Sequence, residues 1–99
     1  MKIGKAAMAG TLESSDVQVT IEPAEGEVTL ELNSSVSGQY GRQIRQVVSD
    51  TLASLGVESA KVTIVDKGAL DCTIRARTQC AVYRAAGYEG PILWGGELA

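Results

Sequence analysis

The sequence contains no histidine and no phenylalanine, only two prolines and two cysteines, and no long apolar run. Each shortage removes a class of function. Without histidine there is no His-based triad and no imidazole acid–base catalyst. Neither a G-x-x-x-x-G-K-[ST] loop nor a G-x-G-x-x-G fingerprint occurs. Cys72 and Cys80 lack a C-x-x-C spacing and have no His beside them, so no metal site is expected. Both fall in one helical pattern, about 12 Å apart at a rise of about 1.5 Å per residue, too far for a disulfide, and read as reduced thiols. Cys72 falls on the apolar stripe of that pattern, where a free Cys acts as a small buried hydrophobe. No stretch approaches the roughly 20 apolar residues of a membrane span. Ala6-Ala7-Met8-Ala9 is shorter than a signal-peptide core of about 7–15 residues. The expected location is the cytoplasm, and an autonomous enzyme is not expected.

What is present is enough for one core. The 99 residues make a single domain, 1–99, with 44% apolar residues. Val, Ile, Leu and Ala must supply most of the interior, with Tyr40, Tyr83 and Trp94 as the large pieces. The net charge of −3 is uneven: residues 1–35 carry two Lys against six acids, and residues 61–99 carry five bases against four acids. Phosphate binding calls for a clustered basic surface, so nucleic acid is not an expected partner.

Residues 1–15, with Gly4, Gly10, Ser14 and Ser15, read as a flexible arm. Val17, Val19 and Ile21 then alternate with polar residues, as do Val28, Leu30 and Leu32, the period-two signature of half-buried strands. Pro23-Ala24-Glu25-Gly26 between them predicts a turn and an antiparallel hairpin with an acidic outer face. Asn33-Ser34-Ser35 offers helix-capping side chains. Val36, Tyr40, Ile44, Val48 and Leu52 recur every four residues, joined by Val47 and Leu55, and predict a helix stopped by Gly56. Val57 to Val65 predicts a third strand, with Val62 and Ile64 on one face. Asp66 can cap a second helix, whose stripe runs through Ala69, Cys72, Thr73, Ala76, Cys80 and Tyr83, widened by Leu70 and Ile74, and ends near Gly87. Residues 88–99 form an irregular tail in which Ile92, Leu93 and Trp94 can dock onto the body or a partner. The order β-β-α-β-α predicts an α+β two-layer sandwich with two helices packed on one sheet face.

Two groups of side chains remain as candidates. Gly10-Thr11-Leu12-Glu13-Ser14-Ser15-Asp16 reads either as a polar loop leading into a strand, or as an accessible segment whose serine hydroxyl a second enzyme modifies. Arg42, Arg45, Arg75, Arg77 and Arg84 read either as a solvated face lying over the core edge, or as a contact surface for carboxylates on a larger subunit. Composition and spacing leave both pairs open.

Several ordered motifs resemble the acyl carrier protein (gamma subunit) family of citrate lyase over nearly the whole chain. They are Ala9-Gly10-Thr11-Leu12-Glu13-Ser14, Asn33-Ser34-Ser35-Val36 with Gln39-Tyr40-Gly41, and Asp66-Lys67-Gly68-Ala69-Leu70-Asp71-Cys72. Ile74-Arg75-Ala76-Arg77, Arg84-Ala85 and the Pro91 to Trp94 tail complete the likeness. The family's attachment serine follows Leu-Glu, which here is Ser14; Ser15 stands where relatives often have Gly. Fatty-acid carriers differ, presenting Asp-Ser-Leu within a helical bundle, and no Asp-Ser-Leu occurs here.

The resemblance implies a phosphoribosyl-dephospho-coenzyme A arm attached through a phosphodiester to Ser14, with acetyl carried as a thioester. It implies partners: an alpha (transferase) subunit that exchanges acetyl for citrate, a beta (lyase) subunit that releases oxaloacetate, and a prosthetic-group transferase. The chain itself is then a non-catalytic carrier phosphoprotein of citrate fermentation. Alternatives at this stage are the equivalent carrier of citramalate lyase, an unmodified α+β interaction or regulatory subunit, and a thiol enzyme using Cys72 or Cys80.

Overall fold

Period-two alternation becomes a four-stranded sheet in the computed structural model, which describes residues 1–34 and 39–87. The elements are β1 (Ala7–Gly10), β2 (Val17–Glu22), β3 (Val28–Ser34), α1 (Gln39–Ser54), β4 (Ala60–Asp66) and α2 (Asp71–Ala86). In the sheet the strands lie in the order β1-β2-β4-β3. The register places Ala9, Val19, Ile64 and Leu32 in one row and Ile21, Val62 and Leu30 in the next. These side chains share one face, which α2 covers across β1 and β2 and α1 covers beside β3. Because side chains alternate across a strand, the opposite face carries Thr20, Thr63, Glu31 and Lys61, all at least partly exposed. This is the α+β two-layer arrangement, with both helices on one face.

The hairpin is a correction. β2 and β3 run antiparallel but do not pair, because β4 lies between them, antiparallel to β2 and parallel to β3. Three features favour this insertion. β4 alternates Ala60, Val62 and Ile64, each fully buried, and a central place covers its backbone on both sides. β3 has no fully buried residue and suits an edge. Residues 23–27 need to bridge only two strand spacings, roughly 10 Å, which five extended residues at about 3.3 Å each exceed. α1 then serves as the crossover that a parallel β3–β4 pair requires. The strand β1, part of the arm in the sequence reading, adds to the free edge of β2.

The helices meet the sheet through Ile44, Val47, Val48, Leu52 and Leu55 of α1 and its end, and Ile74, Ala81, Val82, Tyr83 and Ala85 of α2. Burying each Ile, Val or Leu side chain contributes about 1.5–3 kcal/mol. Buried Thr51 and Thr78 satisfy their hydroxyls by donating to the carbonyls of Val47 and Ile74, 2.7 and 2.8 Å away. Gly56 and Gly87 close the two helices in left-handed conformations, φ 69° and 67°, as expected for helix stops.

Ser34 belongs to β3 and donates to Asp66 Oδ2 at 3.0 Å. Two local expectations shift. Asp66 accepts from Ala69 N at 3.0 Å, so it closes the turn before α2; the helix N-cap is Leu70. Cys72 is exposed and Cys80 half-buried, because α2 turns the stripe of Ile74, Thr78, Ala81, Val82 and Ala85 to the sheet. Val36 and the tail 88–99 lie outside the described residues.

Three of the sequence's arginines act as braces. Arg45 donates to the Leu30 carbonyl on edge strand β3, at 3.3 Å, and Arg84 to the Met8 carbonyl on edge strand β1, at 2.7 Å. Arg77 reaches the loop after β1 and belongs to the site. Arg42 and Arg75 are exposed.

Candidate functional site

The parallel β3–β4 pair brings several chain segments to one pole of the molecule. Both strands end there, at Ser34 and Asp66, and both helices begin there; Gln43 of α1 donates to Asp71 of α2 at 2.8 Å. β1 ends and β2 starts at the same pole, because Val17 is paired with Asp66 and Gly10 with Gln18. The connection between them is the loop 11–16, which carries both candidate serines.

The loop is a held turn. Gly10, at φ 93°, makes it possible: a Cβ there would overlap the carbonyl of Val17. Asp16 N donates to Glu13 O at 3.2 Å, closing a β-turn with Ser14 and Ser15 at its centre. Ser15 is left-handed, φ 65°, and is the one non-glycine residue with positive φ among the described residues. Positive φ at the third place of a turn is where glycine is favoured. Lys67 clips the turn from behind: Ser15 N donates to its carbonyl at 2.8 Å, and its own N–H donates to Asp16 O at 2.9 Å.

Asp16 gathers the remaining bonds. Thr11 Oγ1 donates to Oδ2 at 2.6 Å and Val17 N to Oδ1 at 2.8 Å. Arg77 of α2 donates from Nε to Oδ1 at 3.2 Å and from Nη2 to Oδ2 at 3.0 Å, a two-point ion pair. The Thr11 hydroxyl first, then the Arg77 guanidinium and the Val17 amide, outweigh partial burial and hold the carboxyl at about 2, below its ordinary 3.8. Asp16 is therefore an anion throughout the physiological range.

Ser14 and Ser15 are both exposed. Ser14 is the second residue of the turn, and among the described residues no hydrogen bond engages its hydroxyl. That arrangement leaves a primary alcohol open to an outside reagent. Around it the pole exposes apolar side chains: Leu12 in the loop (55%), Tyr40 at the start of α1 (46%) and Leu70 before α2 (67%). No group of His, Cys, Asp and Glu able to hold a metal ion occurs among the described residues. No helix among them is long and apolar enough to cross a membrane.

Sequence reasoning singled out Ser14, Ser15 and Arg77, and the structure brings Arg77 to the loop that carries the serines. It missed Asp16, which read as a polar alternation partner at the strand start. The signal was its place two residues after Ser14 and the Thr five residues before it. Leu12 and Leu70 were also unmarked as exposed apolar residues.

A family model described as malonate decarboxylase delta subunit (MdcD) matches residues 4–85. The citrate lyase acyl carrier protein of Streptococcus equi subsp. zooepidemicus (strain H70) is 59% identical over 90 residues, covering 90% of this chain and 88% of the relative. The protein of that name from Lacticaseibacillus casei (strain BL23) is 58% identical over 86 residues, covering 87% and 85%. Its namesake from Pectobacterium carotovorum subsp. carotovorum (strain PC1) is 56% identical over 85 residues, covering 86% and 88%. A chain from a Pseudomonas malonate decarboxylase hetero-tetramer in complex with malonate shares the fold at TM-score 0.72 and 20% identity, over 84% of this chain and 86% of that one. With a family model matching residues 4–85 and 56–59% identity to named carriers, the chain belongs to the citrate lyase acyl carrier protein family, whose members are non-catalytic carrier subunits.

Proposed function

We propose that this chain is the acyl carrier subunit of a citrate lyase and that Ser14 holds its phosphoribosyl-dephospho-coenzyme A arm through a phosphodiester. The observation that carries the assignment is the exposed Ser14 hydroxyl, second in a turn that the rest of the chain holds still. The residues fit such a group: Ser14 is a solvent-exposed primary alcohol that can be esterified. When bound, the arm supplies a terminal thiol that carries acetyl and citryl groups as thioesters, as group carriers do.

The chain's own residues do the remaining work. The turn 13–16 fixes where the arm leaves the body, so its free end sweeps a restricted volume near a docked partner. Tethering of this kind raises effective concentration to about the millimolar range. Leu12, Tyr40 and Leu70 give the transferase and lyase subunits an apolar surface beside the root of the arm. The acids, bases and any magnesium for the chemistry come from those partners.

The test is intact-mass measurement of the protein co-produced with its modifying enzymes. Wild type should gain the mass of the arm, and Ser14→Ala should gain nothing and support no lyase activity while melting as wild type does. Full modification of Ser14→Ala would overturn the assignment and move it to Ser15 or elsewhere.

A further inference from the structure

We propose that the Asp16–Arg77 ion pair positions Ser14 for attachment of the arm, by holding the turn in the shape that presents its hydroxyl to the loading enzyme. The inference rests on Ser14 being the attachment residue. Neither Asp16 nor Arg77 touches the reacting atoms; both are positioning residues.

Three observations carry it. The turn contains a left-handed serine, a conformation that a free chain relaxes at once, so the surrounding structure must impose it. The backbone clip to Lys67 anchors Ser15 and Asp16 to the end of β4. The side-chain hold comes from α2, 61 residues away in sequence, where Arg77 meets both oxygens of Asp16. A two-point guanidinium–carboxylate contact fixes direction as well as distance, which a single ammonium does not. Asp16 in turn holds Thr11, at the other end of the loop. One ion pair therefore ties both ends of the segment that carries Ser14 to the rigid helix.

Attachment is a substitution at phosphorus. Ser14 Oγ bonds to the phosphorus of a phosphoanhydride donor that carries the arm, and the anhydride P–O bond breaks. The departing phosphate takes the electron pair, and the hydroxyl proton passes to a base on the loading enzyme. Such a step depends on where the oxygen sits, and a misplacement of about 1 Å can lower a rate about 100-fold.

The experiment uses the unmodified full chain, its purified loading enzyme and the donor, with kcat/KM for loading read by intact mass. Amide hydrogen exchange across residues 11–16 is followed in the same proteins. Arg77→Met keeps the alkyl stem and removes the pair; it should lower kcat/KM about 10- to 100-fold and speed exchange at Ser15. Arg77→Lys should recover part of the loss in both readouts, which a simple loss of folding would not. Asp16→Asn is the second variant should Arg77→Met fold poorly, with the same expectation. Loading at the wild-type rate despite faster exchange overturns the proposal. So does slower loading with unchanged exchange, which would make Arg77 a contact for the enzyme. Peptide mapping of loaded wild type separates the two readings: an arm on Ser15 defeats the Ser14 assignment, whereas an arm on Ser14 with unaltered Arg77→Met loading defeats the clamp alone.

Discussion

Two adjacent serines in the loop differ in what the backbone asks of them. Ser14 occupies an ordinary turn position, while Ser15 is left-handed at φ 65°. An L-residue loses roughly 1–2 kcal/mol there, which glycine does not. Ser15→Gly should therefore raise the urea midpoint, by an amount corresponding to about 1 kcal/mol, and leave loading at Ser14 intact. A loss of loading in Ser15→Gly would mean that the Ser15 hydroxyl takes part. A glycine at this place would adopt that torsion angle without the penalty. Much of the candidate site was legible: the Gly-Thr-Leu-Glu-Ser string pointed to the loop, and the resemblance proposed Ser14 within it. The held shape was not, because the carboxylate and the guanidinium that impose it stand 61 residues apart and no local pattern joins them.

At the level of elements, period-two alternation located β2, β3 and the body of β4, and the four-residue recurrence located α1. Pairing was misread because a hairpin rule weighs only neighbours in sequence. The competing gain, burial of Ala60, Val62 and Ile64 in a central strand, lies some thirty residues further on. The face of α2 was misread in part, for a different reason. Ile74 and Tyr83 are buried as expected, but they are joined by Thr78, Gln79, Ala81, Val82 and Ala85, and a threonine among them looks polar. Inside a helix that hydroxyl bonds back to its own turn, here the Ile74 carbonyl at 2.8 Å, and what remains faces the core as a methyl group. Thr78→Val should accordingly leave stability unchanged or raise it by up to about 1 kcal/mol in urea unfolding. A loss larger than that would show that the hydroxyl does more than satisfy itself.

Taken whole, the molecule has two unlike poles. One gathers the loop 11–16, the starts of both helices and the exposed Leu12, Tyr40 and Leu70. The other holds the helix ends, where Gly4 and Lys5 donate to the Ala85 carbonyl and the Met1 ammonium donates to the carbonyls of Leu55 and Gly56 at 2.6 and 3.0 Å. The sequence reading reached the layers but not this polarity, which depends on β3 and β4 being parallel. Between the poles run the two edge strands, β1 four residues long and β3 seven, neither paired on its outer side among the described residues.

Those edges give the arginine braces a second meaning. An uncovered strand edge is a template on which another copy can pair and begin to aggregate. Arg84 and Arg45 each lay a cation across one edge and occupy a carbonyl that an incoming strand would want. Occupied in this way, those two carbonyls are withdrawn from pairing with a second copy. Arg84→Ala should bring added concentration-dependent self-association, visible by light scattering or sedimentation, in a chain that still folds; association unchanged from wild type would assign the brace to folding alone. The same side chains that fasten helices to the sheet would then also keep the molecule colloidally single.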